Sequence, residues 1–242
     1  MASPNLTKFA YQTLQQGKSL AGLAHKGISS KLMELISQDN SPDFPLQREL
    51  FNDLRESMNE LAEIDWEEAD EGLYPKTQLF EAPWLEWARK YPWVWLDMPS
   101  TWNRRKKRKT RDLPKDIDRD SYPDYYLQNF HHQTDGYLSE HSAELYDIQV
   151  EILFNGTADS MRRRIISPLK KGLEKFNHRN NRKLRVLDVA TGTGRSLQQI
   201  RSALPEIELF GMDLSGSYLK QASKYLSARK GKMVELSKGN AE

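Results

Sequence analysis

The 242-residue sequence contains no cysteine, which removes disulfides, thiol nucleophiles, CxxC redox chemistry and thiolate-held metals from consideration. It also lacks any uninterrupted apolar run approaching the roughly 18 residues that a membrane-crossing helix requires. Met1-Ala2-Ser3-Pro4-Asn5 leads into polar sequence and not into a basic patch followed by an apolar core, as a secretory leader would. No membrane span is therefore expected, and the cytoplasm is the expected compartment. An excess of charge of one sign is missing as well. The 36 basic side chains stand against 34 acidic ones, so the net charge of +2 argues globally for neither nucleic acid nor a membrane surface. Any electrostatic partner has to be sought in local runs.

What is present is uneven along the chain, and composition divides it into 1–120, 121–182 and 183–242. Leu6, Phe9, Leu14, Leu20, Leu23, Leu32, Met33 and Ile36 recur with helical spacing, which predicts one or two helices over 5–36 despite Gly17, Gly22 and Gly27. Leu46, Leu50, Phe51, Leu54, Met58, Leu61 and Ile64 define a strongly amphipathic helix that is expected to pack a core. The acids on its polar face, Glu49, Asp53, Glu56, Glu60 and Glu63, disfavour a membrane-surface role because anionic lipid would repel them. All six tryptophans fall between Trp66 and Trp102. Trp84, Trp87, Trp93 and Trp95 are expected to build a compact aromatic core, the alternative being an aromatic wall for a flat substrate.

Arg104 to Arg111 places seven cations in eight positions, as in a solvated loop or a phosphate attachment point. Nucleic-acid contact is disfavoured: Asp112, Asp116, Asp118 and Asp120 follow at once, and Trp102 and Tyr122 are not interleaved with the cations as a stacking platform needs. From Tyr122 to Leu138 hydrogen-bonding and aromatic side chains are densest, which predicts an irregular lead-in loop or a substrate-contacting lid. His131 and His132 are neighbours and diverge on either a helix or a strand, so no metal site is expected. Two helices should follow, over about 140–154 and 158–176, with Pro168 bending the second.

The last quarter carries the clearest signal. A mostly apolar strand, 184–189, feeds Ala190-Thr191-Gly192-Thr193-Gly194 and then a helix over 195–204. A second strand runs from Ile207 and ends at Asp213, a helix covers 216–229, and a weaker third strand lies at 233–236. Alternation of this kind argues for an α/β fold with βαβ crossovers and a parallel sheet, whose strand-end loops open on one edge. Asp188, Gly192, Gly194, Asp213 and Asn240 should meet there. Two cofactor classes share that geometry. A dinucleotide fingerprint wants a third glycine, but Gly194 is followed by Arg195, Ser196 and Leu197, which weakens a nicotinamide-dependent oxidoreductase reading.

Asp188 to Gly194, read as D-x-A-x-G-x-G, resembles motif I of the class I S-adenosyl-L-methionine-dependent methyltransferases, and Asp213 and Gly239-Asn240-Ala241 extend the likeness. Together with Met161-Arg162-Arg163-Arg164 and Pro168-Leu169, it looks closest to the ubiquinone/menaquinone-biosynthesis type and related small-molecule methyltransferases. The resemblance implies a Rossmann-like cofactor domain over 183–242, preceded by a helical region. It implies that Asp188 orients the methionine ammonium and that Thr191, Gly192 and Gly194 bring backbone groups to the methionine end. Asp213, with Leu214 beside it, would take both ribose hydroxyls, and Asn240 and Ala241 would face the adenine. Ala190 stands where many members have the first glycine, and its methyl is accommodated if the residue holds a negative φ.

The implied activity is methyl transfer to a small-molecule acceptor, with Tyr122, Tyr126, His131, His132 and Asp135 as general-base candidates by type alone. The family sheet has seven strands in the order 3-2-1-4-5-7-6. Three strands supply one half of it, so the chain is expected to be truncated or one part of a longer enzyme. The first strand is expected to present an open edge for further chain or a partner chain. The non-enzymatic alternative is an interaction or RNA-binding protein that uses Arg104 to Arg111.

Overall fold

The computed structural model describes residues 4–37, 48–115, 117–130, 133–180 and 184–241. It is an α/β protein in which a long helical region precedes a small parallel sheet. The elements are α1 (Pro4–Ser37), α2 (Arg48–Asp70), α3 (Trp84–Lys106), α4 (Glu140–Leu153), α5 (Ala158–Arg163), α6 (Ile166–Asn180), β1 (Arg185–Val189), α7 (Arg195–Ala203), β2 (Glu208–Asp213), α8 (Gly216–Ser227) and β3 (Val234–Lys238). Short 3₁₀ turns lie at Lys76–Leu79 and Arg119–Ser121. No helix among the described residues is long and apolar enough to cross a membrane.

Contacts divide the chain into two compact units, one from 1–82 with 150–175 and the other from 83–149 with 176–242. This division interleaves the chain, whereas composition cut it once at 120 and again at 182. Composition reports where residue types change along the chain. It carries no signal that 150–175 returns to the first helices.

In the first unit α1 is one continuous helix, and its three glycines do not break it. Gly22 has a packing reason to be there: a Cβ at that position would fall 2.9 Å from the Cα of Asn155, so the helix can approach that turn only without a side chain. The predicted amphipathic helix runs on as α2 through the acidic stretch to Asp70. Its packing falls on that later half, where Asp65, Trp66, Glu68 and Ala69 are buried, while Leu50, Phe51 and Leu54 are exposed. Asp65 is the centre of a buried polar cluster. Arg163 binds it through two nitrogens, Nε to Oδ1 at 2.8 Å and Nη2 to Oδ2 at 2.6 Å, and the hydroxyls of Tyr11 and Tyr74 also donate to the carboxylate. Burial pushes the Asp65 carboxyl up, but the Arg163 bonds and charge, with the two hydroxyls, outweigh it and hold the group below the usual carboxylate range. The predicted bend at Pro168 is a break: α5 stops at Arg163, a turn follows, and Pro168 lies in the first turn of α6, where its missing N–H costs no helical bond.

In the second unit β1, β2 and β3 pair in parallel in that order. Asp188 lies opposite Gly211 and Asp213 opposite Lys238, so the two acids stand near the carboxyl ends of adjacent strands, Asp213 two positions beyond the partner of Asp188. Leu197, Ile200, Leu209, Leu219, Ala222 and Leu226 are buried between the sheet and its helices. Among the described residues β1 pairs only with β2, and Leu187 and Val189 are exposed. The tryptophan expectation is corrected. Trp87 is buried, but Trp84 is 41% and Trp93 56% exposed, so the four residues do not form one core. The spacing of Trp84, Trp87, Trp93 and Trp95 spreads them around α3, and only one side of that helix faces its own unit.

Candidate ligand site at the carboxyl edge of the sheet

The loop between β1 and α7 turns by three left-handed residues, Ala190, Gly192 and Gly194, with φ of 59°, 57° and 69°. The negative φ that would accommodate the Ala190 methyl is therefore not the one adopted. The chain must reverse from the end of β1 into α7 within a few residues, and alternating left-handed positions do this at the cost of one strained alanine. Gly194 also has a packing role. A Cβ there would stand 3.0 Å from the Cβ of Ala222, so its absence lets the loop settle on α8. At Gly192, by contrast, the nearest atom to such a Cβ is Tyr218 Cδ1 at 4.0 Å, which leaves that stretch of backbone approachable.

This loop is tied to the strand ends by hydrogen bonds. Thr191 N donates to the Met212 carbonyl at 3.0 Å, and Thr191 Oγ1 donates to Asp188 Oδ2 at 2.8 Å. Gly192 N donates to Asp213 Oδ2 and Ser215 N to Asp213 Oδ1, both at 2.8 Å. The Asp213 carbonyl accepts from Gly239 N at 3.0 Å, which places Asn240 and Ala241 next beyond that edge, both exposed. Leu214 is half-buried between Asp213 and Ser215, whose Oγ accepts from Tyr218 N and caps α8. The structure thus brings Asp188, Thr191, Gly192 and Asp213 into one bonded set. Burial raises the Asp188 carboxyl above its ordinary range, the Thr191 hydroxyl offsets part of this, and the negative charge of Asp213 raises it further.

A group of tyrosines that the sequence reading only partly found accompanies this set. Tyr122 stacks on Tyr126 with centroids 5.7 Å apart, and the Lys238 ammonium sits 4.9 Å from the Tyr122 ring. Tyr137 contacts Tyr126, Phe130, Tyr146 and Tyr218. Burial raises the Tyr126 hydroxyl well above 10 and the Asp213 charge adds to it; the Tyr137 hydroxyl is pushed up to about 12 by burial, Tyr146 and Asp213. Such hydroxyls keep their protons near neutral pH. Burial, with the Asp213 charge, thus favours the protonated form of Tyr126. Asp135 occupies a left-handed turn with φ 61°, where its carbonyl accepts from Leu138 N. His131 and His132 lie outside the described residues.

Tyr137, Tyr146, Tyr218 and Asp147 were missed. Asp147 on α4 is buried and accepts from Thr193 Oγ1 at 2.9 Å, so a lead-in helix holds the glycine loop directly. Tyr218 OH lies 2.9 Å from Ser142 Oγ and 3.4 Å from Gln133 Nε2. The one local signal for Tyr218 is its position three residues after the cap Ser215. On the far side α3 braces the two crossover helices: Arg195 lies over the Trp87 ring at 6.0 Å, and Tyr225 OH donates to Glu86 at 2.7 Å.

The basic run is likewise placed more by structure than by charge. Arg104 is buried, and its Nη2 donates to Thr134 Oγ1 at 2.7 Å. The side chain of Asn129 clamps the backbone that follows, accepting from Asp112 N at 2.8 Å and donating to the Asp112 carbonyl at 3.1 Å.

No family model, curated protein or solved structure matches the chain.

Proposed function

We propose that the carboxyl edge of the sheet binds S-adenosyl-L-methionine and that the protein belongs to a methyl-transfer system acting on a small-molecule acceptor. One observation carries this reading. The glycine loop and the second-strand acid are joined by the Gly192 N–H to Asp213 bond, with the Asp188 carboxylate beside them.

The residues present suit that cofactor. Burial and the nearby Asp213 carboxylate raise the proton affinity of Asp188, so the pair favours a ligand with positive charge, and both a sulfonium and an α-ammonium provide it. Each Asp213 oxygen accepts one backbone N–H and retains acceptor capacity for a hydroxyl donor such as a ribose. The open side of Gly192 allows close approach to its backbone. Asp188 would hold the ammonium, Asp213 the ribose, and Asn240 the adenine edge.

When bound, S-adenosyl-L-methionine supplies an electrophilic methyl group on a sulfonium. The protein would contribute position, because two reactants fixed in line react far faster than the same groups free in solution. The tyrosine group around Tyr126 and Tyr137 would exclude water and offer protonated hydroxyls to the acceptor.

Thermal unfolding with S-adenosylhomocysteine tests the reading. At a hundredfold excess over Kd, binding stabilises by about 2.7 kcal/mol, a rise in Tm of roughly 5–10 °C for a protein of this size. Asp213→Asn and Asp188→Asn, each checked for native circular dichroism, should abolish the rise. A rise with NAD and none with S-adenosylhomocysteine would defeat the proposal.

A further inference from the structure

The outer face of α3 does not serve the sheet. With 100° per residue, Leu85, Arg89, Trp93 and Leu96 fall within an arc of about 80°, and Ala88, Pro92 and Pro99 flank it. Leu85 is 77%, Trp93 56% and Leu96 69% exposed, so three large apolar groups project from one side. The acids of this helix border the arc beyond Trp93 and are engaged: Glu86 pairs with Lys90 and Tyr225, and Asp97 accepts from Thr134. The last turn of the helix holds Arg105 and the chain just beyond it carries Lys107, Arg108, Lys109 and Arg111, all exposed, while Arg104 turns inward.

We propose that α3 is an interfacial helix that docks the protein on anionic lipid through Leu85, Trp93 and Leu96, with its basic end on the headgroups. Tryptophan favours the boundary between headgroups and acyl chains, leucine the acyl side, and a juxtaposed cation cluster is drawn to anionic lipid. Charge alone would be a poor guide, because Asp112, Asp118 and Asp120 are exposed in the segment that follows and weaken the far field. Apolar insertion makes up for that weakness. It also separates lipid from RNA: an exposed leucine stripe has no use in stacking bases, which need aromatic faces interleaved with cations.

Co-sedimentation of the whole chain with phosphatidylcholine vesicles, with and without phosphatidylserine as the minor component, tests this. Binding should require phosphatidylserine and weaken with salt. Serine at Leu85, Trp93 and Leu96 together should weaken it by about tenfold or more, and so should glutamine at Arg105, Lys107, Arg108 and Lys109. The replaced side chains are exposed, so both variants should keep the parental melting temperature, and a variant that unfolds is replaced by the single change Trp93→Ser with the same expected direction. Equal binding to vesicles with and without phosphatidylserine would overturn the proposal. So would a serine variant that binds as the parent does, or an RNA affinity that exceeds vesicle binding and ignores the serine changes.

Discussion

Replacing Ala190 by glycine should stabilise the protein, which is unusual for a change to glycine. At φ 59° the Cβ of an L-residue crowds the following carbonyl oxygen, at a cost of roughly 1–2 kcal/mol that glycine does not bear. Against this, glycine gives the unfolded chain more freedom, which costs about 0.4–1 kcal/mol. Ala190 is exposed, so little buried apolar area is lost with its methyl. The balance is a gain of about 0.5–1 kcal/mol, or a Tm higher by roughly 1–4 °C. Ala190→Val is the opposing control, since a β-branched side chain suits a left-handed residue worse than alanine does. Urea unfolding followed by circular dichroism should move the midpoint up for glycine and down for valine at an unchanged slope. If Ala190→Gly instead lowers stability by about 0.5–1 kcal/mol, as glycine does at an ordinary negative φ, the left-handed assignment of this residue is wrong.

Arg163→Met should cost about 3–5 kcal/mol, because it leaves the Asp65 carboxylate buried with only hydroxyl partners, and Asp65→Leu added to it should recover much of the loss. The pH dependence should also change sign. In the parent the Asp65 pKa is depressed, so its contribution is present above the unfolded value and lost as pH falls through the folded one; without the guanidinium, burial raises the pKa and the variant gains stability on acidification. Urea midpoints at neutral and acidic pH measure both effects. At the sheet edge the Asp188 pKa is raised, so affinity for S-adenosylhomocysteine should fall as pH drops through a value above the ordinary carboxylate range. Calorimetry across that window should show the fall in the parent, and an affinity that stays constant across it would refute the assignment of the titration to Asp188.

How much the sequence disclosed depends on how local each determinant is. The strands and helices from Arg185 onward were readable to within a residue or two at most ends, since an apolar strand, a glycine turn and a capped helix each announce themselves within a few positions. The break before α6 was read as a bend because Pro168 is visible and the turn after Arg163 is not. The Asp65 and Arg163 pair was out of reach. Arg162, Arg163 and Arg164, with Lys170, Lys171 and Lys175, read as a solvated basic face, yet Arg163 is 1% exposed and meets an acid from a helix much earlier in the chain. For the site, Asp188 and Asp213 were legible because each stands at the carboxyl end of a strand that the sequence pattern marks, and adjacent parallel strands open those ends on one edge. Asp147 and Tyr146 were not, because α4 reaches the glycine loop through tertiary packing that no periodicity encodes.

The commitment of the Gly192 N–H bears on which ligand this edge favours. In a dinucleotide site the turn before the helix offers its N–H groups to a pyrophosphate, and the positive helix end adds to the attraction. In this loop Gly192 already donates to the Asp213 carboxylate, with Asp188 held near it. An incoming diphosphate would have to displace a buried anion from its donor and then sit beside two carboxylates. A cationic group meets the opposite situation: it leaves the Gly192 bond intact and offsets both the burial and the Asp213 repulsion that raise the Asp188 pKa. The same two acids that weaken the site for a phosphate strengthen it for an ammonium or a sulfonium, so the sign of the ligand's charge should decide affinity before any contact to its base.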